Sequence, residues 1–321
     1  MESQPTVLVT GGTGFVGSYA IDALCRADFD VVAFDLSTDT GTLEQLDRAE
    51  EVAIRRGDVT DPLDVVQAIE ETGATKVLHL ASLLTPAARA NPRKALDVNI
   101  RGMNNVLEAA KTLDEQVDRV VWASSLAVYA PEEKYDGESV TEDDLILPGT
   151  VYGGTKAYNE TQAEVYEDEY GICSVGLRPT LVYGPYRETG STQLTDIVEK
   201  PARGEAYEMD HGEELIDWLH IEDAAEAFRL ALEVPESELT RSVYNISGER
   251  ATINEAADVV EGLLSDADLS VSDDGSYPWN FNVDRSAAEK DLGYEPSYDL
   301  ESGFQQYIDT VRQRRHEQQV Q

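Results

Sequence analysis

Apolar residues along the chain fall into short β-rich runs separated by stretches of helical periodicity. Thr6-Val7-Leu8-Val9-Thr10 is the first run, and it ends in a glycine cluster spanning Gly11 to Gly17. Tyr19, Ala20, Ala23 and Leu24 then recur at helical spacing, and Asp30 to Asp35 forms a second β-rich run closing on an acid. A third run, Val52 to Arg55, leads into Gly57-Asp58-Val59. Asp61-Pro62 supplies an N-cap and a proline at the first helical position, and that helix stops before Gly73. Lys76 to Ala81 is nearly continuous in apolar residues, as a parallel strand covered on both faces should be.

The same alternation predicts a long helix from Asn91 to Leu113, a strand at Arg119–Ala123, a helix at Val151–Tyr170 and a strand at Ser174–Arg178. Beyond Pro185 it weakens. A helix near Thr192–Arg203, a short strand at Ala206–Met209, the run Trp218–Ile221 and a helix at Asp223–Leu232 precede Val243–Ile246, which can close the main sheet. Arg312 to Gln321 reads as a frayed tail. The fold class is therefore α/β, a doubly wound parallel sheet of the Rossmann type.

Composition narrows the function. The 321 residues include 63 acidic and 25 basic ones, a formal charge of −38, yet 41% are hydrophobic, enough for a core. Such a charge repels phosphate backbones and anionic lipid, so neither nucleic acid nor membrane is an expected partner. The acids are scattered, as in Glu142-Asp143-Asp144 and Glu167-Asp168-Glu169, and only 7 of the 25 basic residues are lysine. A surface of this kind suits a salt-rich cytoplasm, where screening relieves self-repulsion. No window of eighteen apolar residues and no basic leader occur, so a cytoplasmic protein is expected. Cys25 and Cys173 cannot build a disulfide scaffold, and His79, His211, His220 and His316 lack ligand spacing, so no metal is expected.

Gly11, Gly14 and Gly17 form G-x-x-G-x-x-G between a strand and a helix. The first glycine suits the tight turn, the second a close approach to a pyrophosphate, the third helix–strand packing. Asp35, 18 residues after Gly17, can bind an adenosine ribose and repel a 2′-phosphate, which favours NAD and leaves NADP possible. Tyr152 and Lys156 form Y-x-x-x-K on one face of a helix. A tyrosine needs a nearby ammonium to act as a base near neutrality, and Lys156 can supply it. Ser124-Ser125 closes a strand 27 residues earlier, at the same sheet edge.

With these stretches the chain resembles the extended short-chain dehydrogenase/reductases, the NAD-dependent epimerase/dehydratase family. His79-Leu80-Ala81-Ser82, Val98-Asn99, Ser124 to Tyr129 and Arg178-Pro179 with Val182-Tyr183-Gly184-Pro185 extend the likeness over nearly the whole length. The resemblance implies Ser125, or its neighbour Ser124, as the hydroxyl that holds the reacting oxygen. It implies Tyr152 as acid/base and Lys156 as its partner and ribose ligand. Gly11, Gly14, Phe15, Val16, Gly17, Asp35, Asp58, Val59, Leu80, Ala81, Ser82, Asn99 and Pro179 would contact the cofactor. It also implies a smaller, discontinuous substrate-binding lobe at 183–214 and 248–321, with 1–182 and 215–247 in the nucleotide-binding domain. A homodimer would form through helices 93–113 and 150–170.

The reaction is less defined. The family's R-D-[FYW] stretch reads Ile216-Asp217-Trp218 here, and no arginine stands in Ser272-Asp273-Asp274-Gly275, so two diphosphate-binding arginines are missing. Leu126-Ala127 replaces the Asp-Glu pair of dehydratases. These departures favour a dehydrogenase of a small polyhydroxy substrate, an aldose or uronate. A nucleotide-sugar 4-epimerase and an L-threonine-dehydrogenase-like enzyme are the alternatives. The latter rests on Trp122 to Val128 and on Gly190-Ser191-Thr192. Candidate substrate contacts are Ser82, Thr85, Ser125, Tyr152, Thr180, Arg187, Thr192 and Gln193.

Overall fold

The computed structural model describes residues 4–131, 134–135, 139–187, 190, 192–275 and 282–320, with the backbone alone at 192 and 317–320. Its strands are β1 (Thr6–Thr10), β2 (Asp30–Asp35), β3 (Ala53–Arg56), β4 (Lys76–His79), β5 (Arg119–Ala123), β6 (Ser174–Pro179), β7 (Leu181–Tyr183), β8 (Tyr207–Met209), β9 (Leu215–His220), β10 (Val243–Ile246), β11 (Glu249–Thr252) and β12 (Leu269–Val271). Seven of them form one parallel sheet in the order β10-β6-β5-β4-β1-β2-β3. The order reverses between β1 and β4, so a crevice opens at the carboxyl ends of those strands.

Both faces of the sheet are covered. Val7, Val9, Leu78, Val121 and Leu177 pack against the helices Phe15–Arg26 and Ile221–Glu233, while Leu8, Val77, Val120 and Trp122 face the layer that includes Pro62–Thr72, Gly102–Thr112 and Val151–Tyr170. At full burial each such side chain contributes roughly 1.5–3 kcal/mol. The expected helix at Val151–Tyr170 has the predicted ends. The Thr150 side chain accepts from the Gly153 amide at 3.0 Å, and Gly171 closes it at φ 69°. Asp61 caps Pro62–Thr72 in the same manner, and Gly73 ends it in the left-handed region.

Four elements differ from the sequence pattern. The helix expected over Asn91–Leu113 contains a π-helical turn, Leu96–Arg101, between Pro92–Ala95 and Gly102–Thr112. β4 ends at His79, which frees Leu80 and Ala81 to run on as loop. β9 does not join the seven strands: it pairs with β7 and, antiparallel, with β11. The C-terminal stretch is a helix, Leu300–Val320, whose Leu300, Phe304, Tyr307, Ile308 and Val311 pack with Trp218 and Ile253. Among the described residues no helix is long and apolar enough to cross a membrane.

Candidate active site

A cleft of about 490 Å³ runs along the carboxyl edge of the sheet, within the range of ligand sites. At one end it is lined by Gly11, Gly14, Phe15, Val16, Gly17, Asp35, Asp58 and Val59, and further along by Leu80, Ala81, Ser82 and Pro179. A cofactor's pyrophosphate requires bare backbone there, and the packing enforces it. A Cβ on Gly17 would lie 2.1 Å from the Gly11 carbonyl oxygen, and Gly11 itself has φ +71°. Gly14 caps the helix Phe15–Arg26 without a side-chain hydrogen bond, so no side chain competes for its N-terminal amides. The Asp35 carboxylate accepts from the amides of Thr13, 3.2 Å, and Ser37, 3.1 Å, at the rim. The chemistry of this donor set fits a dinucleotide.

Ser125, Tyr152 and Lys156 meet further along the same cleft. Gly153 permits this. A Cβ there would fall 2.0 Å from the Ala127 carbonyl oxygen, so the first turn of Val151–Tyr170 sits directly on the short 3-10 turn Leu126–Val128 that follows β5. The two serines separate by partner. Both line the cleft, but the Ser124 hydroxyl is buried and donates to Glu160, whereas the Ser125 hydroxyl accepts from the Ala127 amide at 3.2 Å and favours ionisation of the Tyr152 phenol.

Burial raises the Tyr152 phenol, and the Ser125 hydrogen bond and the Arg187 charge pull it back down. The sequence pattern assigned that charge to Lys156. Its Nζ instead donates to the Ala123 carbonyl at 2.7 Å and lies 5.6 Å from the Tyr152 ring centroid. Burial pushes Lys156 down to about 8, opposed by the Glu160 carboxylate.

Ser82, Thr85, Thr180 and Arg187 also line the cleft. The Ser82 and Thr180 hydroxyls are buried without a hydrogen-bond partner among the described residues, so they are ready for a ligand. Gln193 does not line the cleft; it is exposed, and its carbonyl accepts from Tyr207 at 2.6 Å. Ser191 and the Thr192 side chain lie outside the described residues. Asn99 stands behind the cleft wall, where its side chain clamps both backbone groups of Leu83 and reaches Thr155 at 3.0 Å. It acts through that loop. His79 is a packed strand residue, its Nδ1 2.7 Å from the Thr10 hydroxyl, and burial lowers it to about 3. No three metal-ligating side chains group together among the described residues.

Sequence reasoning missed Asp217 and Val283, which close the cleft beside Ile216. Asp217 reaches it because β9 pairs with β7, a long-range pairing with no local signature. Burial raises its carboxyl to about 7, against the charges of Arg250 and Arg285.

A doubly wound sheet with a glycine-rich crevice and a Ser-Tyr-Lys cluster at one edge defines a dinucleotide-dependent enzyme of the extended short-chain dehydrogenase/reductase class. The sequence model of the NAD dependent epimerase/dehydratase family matches residues 7–247, and the chain belongs to that family. Among its relatives is UDP-glucuronate 4-epimerase 6 of Arabidopsis thaliana, 28% identical over 94% of this chain and 70% of that protein. The solved UDP-glucose 4-epimerase of Thermus thermophilus, in complex with NAD, superposes at a TM-score of 0.82, with 26% identity over 96% of this chain and 99% of that one. L-threonine dehydrogenase of Clostridium difficile shares the fold at a TM-score of 0.86, with 24% identity over 98% of this chain and 99% of that one.

Proposed function

We propose that this enzyme is an NAD-dependent dehydrogenase of a small polyhydroxy substrate, an aldose or uronate, oxidised at a secondary alcohol or lactol. The observation that carries the substrate class is the far wall of the cleft. Ile216, 3% exposed, packs into an apolar cluster where the family pattern has an arginine for a diphosphate. Asp217, Ser82 and Thr180 line the same cleft, the two hydroxyls buried without a partner among the described residues. Hydroxyl-rich ligands satisfy such groups; a diphosphate meets a carboxylate and no cation at Ile216.

In this reading the substrate hydroxyl sits between the Ser125 hydroxyl and the Tyr152 phenol, both of which line the cleft. Bound NAD supplies the hydride acceptor. Ser125 holds the substrate oxygen, and Tyr152 takes its proton as the carbonyl forms. Tyr152 enters that step as the phenolate, which the Arg187 charge favours, and leaves it as the neutral phenol; Arg187 can also receive the carboxylate of a uronate. Lys156, anchored on Ala123, keeps two N–H groups for the phenol side and the ribose. Asp35 selects NAD over NADP.

The second reading, a nucleotide-sugar 4-epimerase, is favoured by the Arabidopsis relative and by Arg187 as an anion ligand. Incubation with NAD and a panel of aldoses, uronates, threonine and UDP-sugars separates them. Stoichiometric NADH release with a free sugar or uronate supports the dehydrogenase. Interconversion of UDP-sugars without net NADH overturns it, and NADH release with threonine alone moves the enzyme to the third class.

We also propose a two-lobed organisation, 1–182 with 215–247 against 183–214 with 248–321, and a homodimer. Supporting the dimer, Val151, Tyr158 and Val165 are exposed at seven-residue intervals on one helix, with Tyr170 beyond them and Leu96 exposed on the neighbouring run. A monomeric mass in light scattering would remove it.

A further inference from the structure

Behind the cleft lies an ion pair that the acid/base chemistry does not itself use. Arg178 and Glu160 have side chains only 4% and 7% exposed. Arg178 donates to both carboxylate oxygens of Glu160, through Nε and Nη2, each at 2.8 Å. The carboxylate also receives the Ser124 hydroxyl. Arg178 Nη1 donates to the Tyr129 hydroxyl, which lies 2.7 Å from Asn245 Oδ1 and 3.0 Å from the Thr141 carbonyl and donates to one of them. One carboxylate thus joins the helix Val151–Tyr170, the end of β5 and β6, and through Arg178 and Tyr129 it reaches β10.

Two functional groups hang on this junction. Glu160 is one helical turn beyond Lys156, and Lys156 is held on Ala123, the residue before Ser124. Ser125 follows Ser124 directly, so the hydroxyl that meets Tyr152 is positioned by a neighbour tied to Glu160. A buried ion pair is weak support for stability, because desolvation offsets its attraction, and its retention here has another use.

We propose that Glu160 and Arg178 form a positioning pair for the active site, holding Lys156 charged and Ser125 in register with Tyr152. The claim about Lys156 and Ser125 rests on the acid/base reading above. The titratable groups facing Lys156 are Tyr152 and Glu160 on its own helix and His79 on β4; Arg178 on β6 and Tyr129 after β5 lie beyond Glu160, and Arg187 and Asp217 line the cleft. Of these, Glu160 is the group that favours the ammonium, against burial. Its removal leaves the Arg178 charge uncompensated, and both changes discharge Lys156.

The test is Glu160→Gln, which keeps the shape and removes the charge. The Lys156 ammonium is titrated by 15N-lysine NMR, with the signal assigned through Lys156→Arg; no substrate is needed. We expect the Lys156 midpoint to fall by at least about one pH unit, a tenfold change in its proton affinity. The alkaline limb of kcat/KM should move down with it, while Glu160→Asp restores part of both. Should Glu160→Gln not fold, the neutral pair Glu160→Gln/Arg178→Gln keeps the test open, with the same direction of shift expected. An unmoved Lys156 midpoint beside a lowered Tm would make the pair structural only and overturn the proposal. Absence of any dehydrogenase activity in the parent enzyme, with the NMR shift intact, overturns the function reading and leaves the pair standing.

Discussion

Ser125, just past the end of β5, and Tyr152, in the first turn of Val151–Tyr170, line the same cleft, and Ser125 favours the ionised form of the Tyr152 phenol. The two lie 27 residues apart in the chain and are brought together because Gly153 lets the helix rest on the Ala127 carbonyl. Removing the phenolic oxygen deletes the proton acceptor and leaves the glycine loop untouched. We expect Tyr152→Phe to lower kcat by roughly 10²–10⁴-fold. Calorimetric NAD affinity should stay within about threefold, since the loss falls on the chemical step. Turnover within tenfold of the parent would reassign the base.

Asp35 offers its carboxylate at the end of β2 while accepting from Thr13 and Ser37. A 2′-phosphate on the adenosine ribose would bring like charges together in a half-buried rim. Asp35→Ala should therefore shift the ratio of kcat/KM for NAD over NADP by about tenfold or more towards NADP, about 1.4 kcal/mol of discrimination. An unchanged ratio would mean that selection lies elsewhere in the cleft.

Much of this architecture was legible in the residues. Glycine and apolar punctuation marked the strands of the parallel sheet and the helix Val151–Tyr170 that carries Tyr152 and Lys156. What escaped depends on contacts between distant segments. Nothing local tells Ile216-Asp217 that β9 will pair with β7 and turn Asp217 to the cleft. Glu160 continues the spacing of Tyr152 and Lys156 by one more turn, yet its partner Arg178 lies on a separate strand, so the ion pair exists only in the fold. The stretch from Arg312 continues the helix Leu300–Val320 beyond its last packed residue, Val311, so no apolar periodicity in it announces the helix.

The net charge of −38 makes a second kind of demand on the fold. Fixed carboxylates repel one another over a screening length of about 10 Å at 0.1 M salt and about 3 Å at 1 M. Several basic residues are already spent in local pairs, such as Arg229 with Glu226 and Glu233. We propose adaptation to a salt-rich interior and expect Tm to climb steadily from 0.1 to 2 M KCl. The same rise should occur with salts of weak exclusion at equal ionic strength, which isolates screening from preferential exclusion. A Tm independent of salt would remove this reading of the surface.

Asp217 supplies the clearest pH signature. Burial raises its carboxyl from 3.8 to about 7, with Arg250, Arg285 and the Val283 backbone pulling the other way. Between those two values the folded protein holds a proton that the unfolded chain has released. Its contribution is therefore complete below about pH 4 and is lost as pH rises through 7. Asp217→Asn imitates the protonated form and removes the cost of ionising in the cleft wall. The gain over the parent should be absent near pH 4 and grow to at most about 4 kcal/mol above pH 8. Paired denaturant titrations at pH 4.5, 6, 7 and 8.5 measure that difference directly, free of the other groups that titrate in both proteins. A gain that is flat across this range would show that Asp217 is ionised throughout, and its charge would then have to be met by the two arginines alone.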